Sequence, residues 1–146
     1  MPIICRSALV CHSASCMFDL VNDITAYPSR FSWCHSAQLF EHDEHRLMAR
    51  LDVVVGAFRT WFITDNTLKR PSQIDMKLRD GPFKRLEGRW DFQMLAEESC
   101  KVSLRLEFEP VSRMLNPALT LGFNGLADRM VKDFIRIADC GGSGES

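Results

Sequence analysis

Residues 80–94 of this 146-residue chain read DGPFKRLEGRWDFQM, a turn followed by a strand. In the turn, Gly81 tolerates a positive φ and Pro82 fixes its own φ, so the chain can reverse its direction here. After the turn, apolar and polar residues alternate, which is the pattern of a strand that buries one face and exposes the other. The stretch therefore predicts one half of an antiparallel hairpin. Its apolar face contains Leu86, Gly88, Trp90, Phe92 and Met94.

Similar patterns occur on both sides of this hairpin. Gly56 and the segment Glu97-Glu98-Ser99 predict turns that separate further strands. A first segment rich in β-forming residues predicts a strand at Ile3–Val10. After a short helix, the chain then predicts five or six antiparallel strands. The segments with the clearest pattern are residues 47–55, 58–69, 74–79, 86–94 and 101–108.

The short helix is predicted directly after the first strand. Ser13 or Ser15 can cap it, because a serine hydroxyl accepts hydrogen bonds from free backbone N–H groups at a helix start. Apolar residues then recur at helical spacing, and Pro28 is expected to end the helix. This interpretation leaves Tyr27–Cys34 as a loop rich in aromatic residues. The apolar residues of the short helix are Met17, Leu20, Val21 and Ile24.

A long helix is predicted over residues 112–139, where the apolar spacing changes to three and four residues. Pro117, Gly122 and Gly125 are expected to weaken or kink its first half. The residues that define the periodicity are Leu119, Phe123, Leu126, Met130, Phe134 and Ile137.

The predicted sheet must cover its apolar face, and the last helix is the one predicted element long enough to do so. We therefore expect an α+β fold in which a curved antiparallel sheet wraps around a long C-terminal helix. An apolar cavity remains between them unless large side chains fill it. Residues 1–140 are expected to form a single domain, and residues 141–146, GGSGES, a disordered tail.

Composition excludes several classes of protein. With 18 Lys+Arg and 19 Asp+Glu, the formal net charge is -1, which disfavours a strongly basic nucleic-acid binder but allows a local basic patch. The longest uncharged run, Met114–Ala127, is shorter than the roughly 20 apolar residues of a membrane-spanning helix. The six cysteines form no CxxC pair, and no signal peptide is visible at the start. Reduced thiols and a cytoplasmic location are therefore expected.

A family resemblance lies in the same hairpin. Residues 80–92, DGPFKRLEGRWDF, resemble the DGPFK-x-L-x-G-x-W-x-F signature of one branch of the START-like superfamily. That branch holds the coenzyme Q-binding proteins of respiration and the bacterial RatA ribosome-association toxins. The resemblance extends over residues 3–139. Supporting segments are Arg6–Val10, Leu20–Ile24, Tyr27-Pro28, Leu106–Glu109 and Met130–Phe134.

The resemblance implies a helix-grip fold with a deep apolar cavity and two alternative activities. The leading expectation is non-catalytic binding of an isoprenoid lipid, ubiquinone, in the cavity in support of respiration, because the inner face is apolar. The alternative is a toxin that binds the large ribosomal subunit and blocks subunit association and translation. A third alternative is a polyketide cyclase-type enzyme. A peripheral contact with the inner membrane is a further expectation, and no cofactor or DNA partner is expected.

Candidate ligand-binding residues are large apolar side chains near the predicted cavity, although such side chains also simply fill cores. Met130 suits a flexible ligand because methionine is unbranched and adaptable. Phe31 and Trp33, in the predicted loop, are expected to form the mouth of the cavity or to touch a membrane surface. The full predicted set is Phe31, Trp33, Trp90, Phe92, Met130 and Phe134.

Candidate contacts with a ribosome or a membrane are the basic residues that flank the turn at residues 80–83. Arg79, Lys84 and Arg85 can form one exposed tip that attracts RNA phosphates or anionic lipid head groups. The alternative interpretation is a solvated face with no partner.

Catalytic and metal sites are not predicted. His42 and His45 lie in an acidic segment that is typical of a solvated turn between two strands. Cys34-His35 lacks an evident orienting group and oxyanion site, which a nucleophilic cysteine needs. The carboxylates fall on the polar side of their strands, so we expect a protein that is not an enzyme. They are Asp52, Asp75, Glu87, Asp91, Glu107 and Glu109.

Overall fold

A computed structural model describes residues 3–111 and 116–140 of the chain. Seven strands and three α-helices follow one another within these residues, with a short 3-10 helix at Ile24–Ala26. The helices are α1 (Ala14–Asn22), α2 (Tyr27–Arg30) and α3 (Asn116–Asp139). The strands are β1 (Ile3–Val10), β2 (Cys34–His42), β3 (Arg46–Val55), β4 (Phe58–Lys69), β5 (Gln73–Asp80), β6 (Phe83–Ala96) and β7 (Ser99–Pro110).

All seven strands form one antiparallel sheet in the order β1-β7-β6-β5-β4-β3-β2. Strands β2 to β7 pair with their neighbours along the chain, and β1 completes the sheet by pairing with β7, for example Ile4 with Leu106. The predicted hairpin is confirmed, because β5 ends at Asp80 and β6 begins at Phe83. The expected α+β architecture of a curved sheet around a C-terminal helix is also confirmed.

Pairing between β5 and β6 covers Gln73–Lys77 and Glu87–Asp91. Closer to the turn, β5 continues to pair with β4, and β6 continues to pair with β7. A bulge interrupts β6 between Phe83 and Arg85. Arg79 and Lys84 therefore lie at the end of the hairpin, beyond its paired part.

Helix α3 covers the inner face of the sheet and confirms the predicted periodicity. Phe123, Leu126, Met130 and Phe134 are all buried against the sheet. The helix is continuous from Asn116, and Pro117 lies in its first turn, where no backbone N–H is needed for an internal hydrogen bond. The predicted start at residue 112, the side chain of Leu119 and the predicted tail at 141–146 lie outside the described residues.

Two local predictions were wrong, and one strand was not predicted. The first helix ends at Asn22, although Ser13 does cap it by accepting a hydrogen bond from the Cys16 N–H at 3.1 Å. Pro28 does not end a helix but lies in the first turn of α2, so the predicted loop is partly helical. Strand β2 has no alternating pattern because it is an edge strand and nearly all of it is exposed.

Two glycines of α3 provide a test of how closely this helix packs on the sheet. A Cβ atom at Gly122 would lie 2.3 Å from Phe58 ring atoms, whereas one at Gly125 would make an ordinary contact of 3.4 Å with Val55. Gly122→Ala should therefore lower the free energy of unfolding by about 1–3 kcal/mol through overpacking. Gly125→Ala should raise it by about 0.5–1 kcal/mol, because alanine favours the helix.

Urea denaturation of both variants measures these changes against the unmodified chain. Equal effects of the two substitutions would contradict the close approach of α3 to Phe58.

Candidate functional site

Phe31 and Trp33 lie in the core, which corrects the prediction that they form a cavity mouth or touch a membrane. Phe31 is 2% exposed and Trp33 is 0% exposed. Their rings stack with 4.9 Å between centroids, and both contact Phe134 of α3. The edge of the Tyr27 ring packs against both of them. These rings join the first segment of the chain to the last helix.

Two polar atoms of this aromatic cluster have hydrogen-bond partners. The Trp33 Nε1–H donates to Asp133 Oδ2 of α3 at 3.0 Å, and the Tyr27 hydroxyl donates to the Val21 carbonyl. Burial raises the pKa of Tyr27 well above its ordinary value, so the hydroxyl remains a neutral donor. The cluster is therefore a satisfied structural core, and any role of Phe31 and Trp33 in ligand binding stays a prediction.

A cavity lies between the inner face of the sheet and α3. Its volume is about 50 Å³, and its walls include Trp90 and Met130 from the predicted set. Phe92 stacks on Trp90 at 6.2 Å, and Phe134 meets the Trp90 ring edge-on at 5.5 Å, so both support this wall. The aromatic side chains thus fill most of the space that the sequence led us to expect as a deep cavity.

The cavity also has a polar side that the sequence analysis missed. Thr64 and Asn66 are the buried polar residues of the described chain, and both line the cavity together with Asn22. They occupy the inward positions of β4, between Phe62 and Leu68. The continued alternation of residues 62–68 is the signal that would have identified them.

Both amides of the cavity have unsatisfied oxygens. Asn22 Oδ1 and Asn66 Oδ1 are buried, and neither has a hydrogen-bond partner among the described residues. Buried polar atoms are normally paired, because an unpaired acceptor loses its hydrogen bonds to water without compensation. The amides therefore stand out as groups that can hold the polar part of a small molecule.

Carboxylates lie on the outer face of the sheet, as predicted. Asp52 accepts hydrogen bonds from Arg50 and Ser36, and the bond from Arg50 holds the pKa of Asp52 below its ordinary value. On β5 and β6, Asp75 pairs with Arg89 at 2.8 Å and Glu87 pairs with Arg85 at 3.0 Å. Asp91, Glu107 and Glu109 also occupy outward positions.

Cys34, His42 and His45, which were considered as a nucleophile and as metal ligands and not predicted to be either, have the following surroundings in the structure. Burial raises the pKa of the Cys34 thiol to about 12, and its Sγ lies 3.4 Å from the Ser36 carbonyl, so Cys34 is a neutral thiol at physiological pH. His42 and His45 are exposed around a turn in which Asp43 Oδ1 accepts from two backbone N–H groups. Within residues 3–111 and 116–140, no cluster of metal-ligating side chains is found.

Basic residues at the end of the β5–β6 hairpin differ in their surroundings. Arg85 is exposed but pairs with Glu87 at 3.0 Å and lies 4.0 Å from Glu107. Arg79 and Lys84 are also exposed, and within the described part of the chain neither forms an ion pair. Arg85 is thus held in an ion pair, whereas Arg79 and Lys84 are not, although Asp65, whose pKa is lowered chiefly by Arg46, also interacts with the charge of Arg79.

The helices give no sign of a membrane span. None of those in the described residues has both the length and the apolar character that a crossing of the bilayer requires.

Comparison with known proteins assigns the family. The profile of the family described as polyketide cyclase / dehydrase and lipid transport matches residues 10–135. Among curated relatives, the ribosome association toxin RatA of Vibrio cholerae is 44% identical over 94% of this chain and 96% of its own length. RatA of Pseudomonas aeruginosa is 38% identical over 91% and 92% of the two chains. The persistence and stress-resistance toxin PasT of Escherichia coli O6:H1 is 37% identical over 92% and 85%.

Solved structures agree on the fold. A START superfamily protein from Mycobacterium smegmatis superposes with a TM-score of 0.79 at 20% identity, covering 94% of this chain and 98% of that one. The Zhui aromatase/cyclase from Streptomyces superposes with a TM-score of 0.71 at 16% identity, covering 97% and 90%. The chain therefore belongs to the polyketide cyclase / dehydrase and lipid transport family and has the START-like fold.

Proposed function

We propose that this protein binds the large ribosomal subunit and prevents it from joining the small subunit. The strongest support for the proposal is the similarity of this chain to proteins named ribosome association toxin, at 37–44% identity. The match to the Vibrio relative covers 94% of this chain and 96% of that protein, so it involves the whole fold. The proposed place of action is the cytoplasm, where the subunits meet.

The proposed contact surface is the end of the β5–β6 hairpin. Uncompensated cations attract RNA phosphates and release counterions on binding, whereas a paired cation must first give up its carboxylate. Within the described part of the chain, Arg79 and Lys84 form no ion pair, whereas Glu87 holds Arg85. We therefore assign the main electrostatic contact to Arg79 and Lys84.

A second pair of cations provides a matched control on another surface. Arg129 and Lys132 lie on the exposed side of α3, and within the described residues neither has a carboxylate partner. Neutralising this pair changes the net charge as much as neutralising Arg79 and Lys84 does. A difference in subunit binding between the two double variants therefore depends on where the charges lie and not on how many are removed.

Ubiquinone binding stays a prediction, and it ranks second. A cavity of about 50 Å³ holds on the order of four water molecules, since one water needs roughly 10–15 Å³. A polyprenyl tail would have to displace core side chains such as Met130 to enter. The burial of Phe31 and Trp33 also removes the residues that we expected at a membrane surface.

The proposal assigns no catalytic role to this chain. In the described residues, the side chains with polar atoms that line the cavity are Asn22, Asn66, Tyr27, Thr64 and, through its indole N–H, Trp90. A cyclase-type reaction is normally served by an acid or base with a pKa near neutrality. The raised pKa of Tyr27 makes its hydroxyl a poor base at neutral pH.

The proposed function predicts an effect on subunit joining. When the purified protein is added to separated ribosomal subunits under joining conditions, the peak of joined ribosomes in a sucrose gradient should fall. The protein should sediment with the large subunit. Sedimentation with neither subunit, together with an unchanged joined peak, would refute the proposed function.

The proposed contact surface predicts a change in the salt dependence of binding. Arg79→Gln/Lys84→Gln should weaken binding to the large subunit and flatten the slope of log K against log salt concentration by about 2, because two phosphate contacts are lost. Titrations at several salt concentrations measure this slope. Arg129→Gln/Lys132→Gln should leave the slope unchanged, and equal slopes for both double variants would place the contact elsewhere.

A further inference from the structure

We propose that the outer face of the sheet binds an unpaired RNA nucleotide, whose base stacks on the guanidinium of Arg50 where it lies over the indole ring of Trp61. This assignment rests on the proposed function, because it names what the large subunit presents at this surface, namely a base that is not paired with another. A base inside a duplex is already stacked on both sides and cannot bind in this way.

Trp61 is the tryptophan that lies outside the core. Of the three tryptophans of the chain, Trp33 is 0% exposed and Trp90 is 2% exposed. Trp61 is partly exposed and does not belong to the buried core cluster. Its strand neighbour Phe62 is buried, so Trp61 points to the opposite, outer face of the sheet. A large ring in this position is typical of a surface that binds a partner.

The side chain of Arg50 is held over this ring. Its Cζ atom lies 4.3 Å from the centroid of the Trp61 ring. Asp52, the direct cross-strand partner of Trp61, accepts hydrogen bonds from Arg50 Nε at 3.1 Å and from Arg50 Nη2 at 3.0 Å. The Ser36 hydroxyl donates to the same carboxylate at 2.8 Å. The guanidinium is therefore fixed in place before any ligand arrives.

These contacts leave one face of the guanidinium for a ligand. The N–H bonds of a guanidinium lie in its plane, so the bonds to Asp52 occupy an edge of the group and not a face. Trp61 covers one face, and the side chain of Arg50 is still 36% exposed. Nucleic-acid bases stack both on aromatic rings and on guanidinium planes. The Trp61–Arg50 pair thus provides a platform for one base.

Cations that can hold the phosphates of the same strand lie on this face. Arg59 is exposed at the outward position two residues before Trp61. Arg79, already assigned to the subunit contact, is exposed, and its charge reaches Asp65 on the same face. Within the described residues neither arginine forms an ion pair. A planar platform beside two such cations fits RNA, whereas a membrane surface is normally bound through several apolar side chains.

The test compares a single-stranded oligoadenylate with the same strand annealed to oligouridylate. The ratio of the single-strand affinity to the duplex affinity is measured for the full chain and for Arg50→Lys. Lysine keeps the positive charge and can still pair with Asp52, but it has no planar group. We expect the ratio to fall at least about fivefold in Arg50→Lys, because one stacked base is lost.

Arg89→Lys is the matched control for this substitution. Arg89 is also an exposed arginine on the outer face, and it pairs with Asp75 at 2.8 Å. Within the described part of the chain, no aromatic ring lies beneath its guanidinium. Arg89→Lys should therefore leave the ratio of the two affinities unchanged.

Trp61 provides a second readout in the unmodified chain. Because Trp33 and Trp90 are buried, quenching of tryptophan fluorescence by acrylamide reports mainly on Trp61. The single-stranded oligoadenylate should reduce this quenching, since it covers the platform, and the duplex should not. Vesicles of phosphatidylglycerol, an anionic lipid, should also leave the quenching unchanged.

The stacking proposal is overturned if Arg50→Lys keeps the affinity ratio of the full chain, if the oligoadenylate does not protect Trp61, or if the vesicles alone protect it. Sedimentation with the large subunit separates this failure from failure of the proposed function. A chain that sediments with the subunit equally well with and without Arg50→Lys retains its function but not the stacked base. Oligoadenylate results remain decisive for stacking even if the chain does not sediment with the subunit.

Discussion

The rest of the structure depends on how one apolar face of a seven-stranded sheet is kept from water. Six strand spacings of about 4.8 Å make the sheet roughly 29 Å wide, whereas a helix with its side chains is about 10–12 Å across. Helix α3 alone therefore cannot cover a flat sheet of this width. The fold resolves the mismatch by curving the sheet around α3 and by covering part of it with α1, α2 and the rings between them. Because so many rings are needed, the remaining cavity is small.

The aromatic cluster positions α3 on the sheet. Trp33 packs its ring against Phe134 and donates its N–H to Asp133 one residue earlier in α3. An apolar contact and a directional hydrogen bond together determine both the position of the helix and its rotation about its own axis. That rotation decides which side chains of α3, Met130 among them, point at the cavity.

Most of the sheet could be predicted from alternation, because β3 to β7 each bury one face. Prediction failed at β2, where both faces are exposed and no alternation exists. It also failed at Pro28, because the rule that proline ends a helix does not distinguish the last turn from the first.

The candidate sites were harder to predict, since they depend on contacts between distant residues. Trp90 and Met130 lie at the cavity, as their strand and helix positions indicated. Trp33 bonds to Asp133, which is 100 residues away in the sequence. The charge of Arg85 is balanced by Glu87 on the same strand and by Glu107 on the neighbouring strand. Asn66 was not predicted as a site residue, because the inward face of each strand was identified by its apolar residues and Asn66 is polar.

The pairing of β1 with β7 has a consequence for the timing of folding during synthesis. Strands β3 to β7 can join β2 one after another as they leave the ribosome, because each pairs with the strand made just before it. Strand β1 must wait about 90 residues for its partner, and α3 is made later still. The part of the apolar face that α3 covers thus stays exposed until α3 has left the ribosome. A new copy therefore reaches its native surface only after β7 and α3, the last elements of the described fold, have both been made.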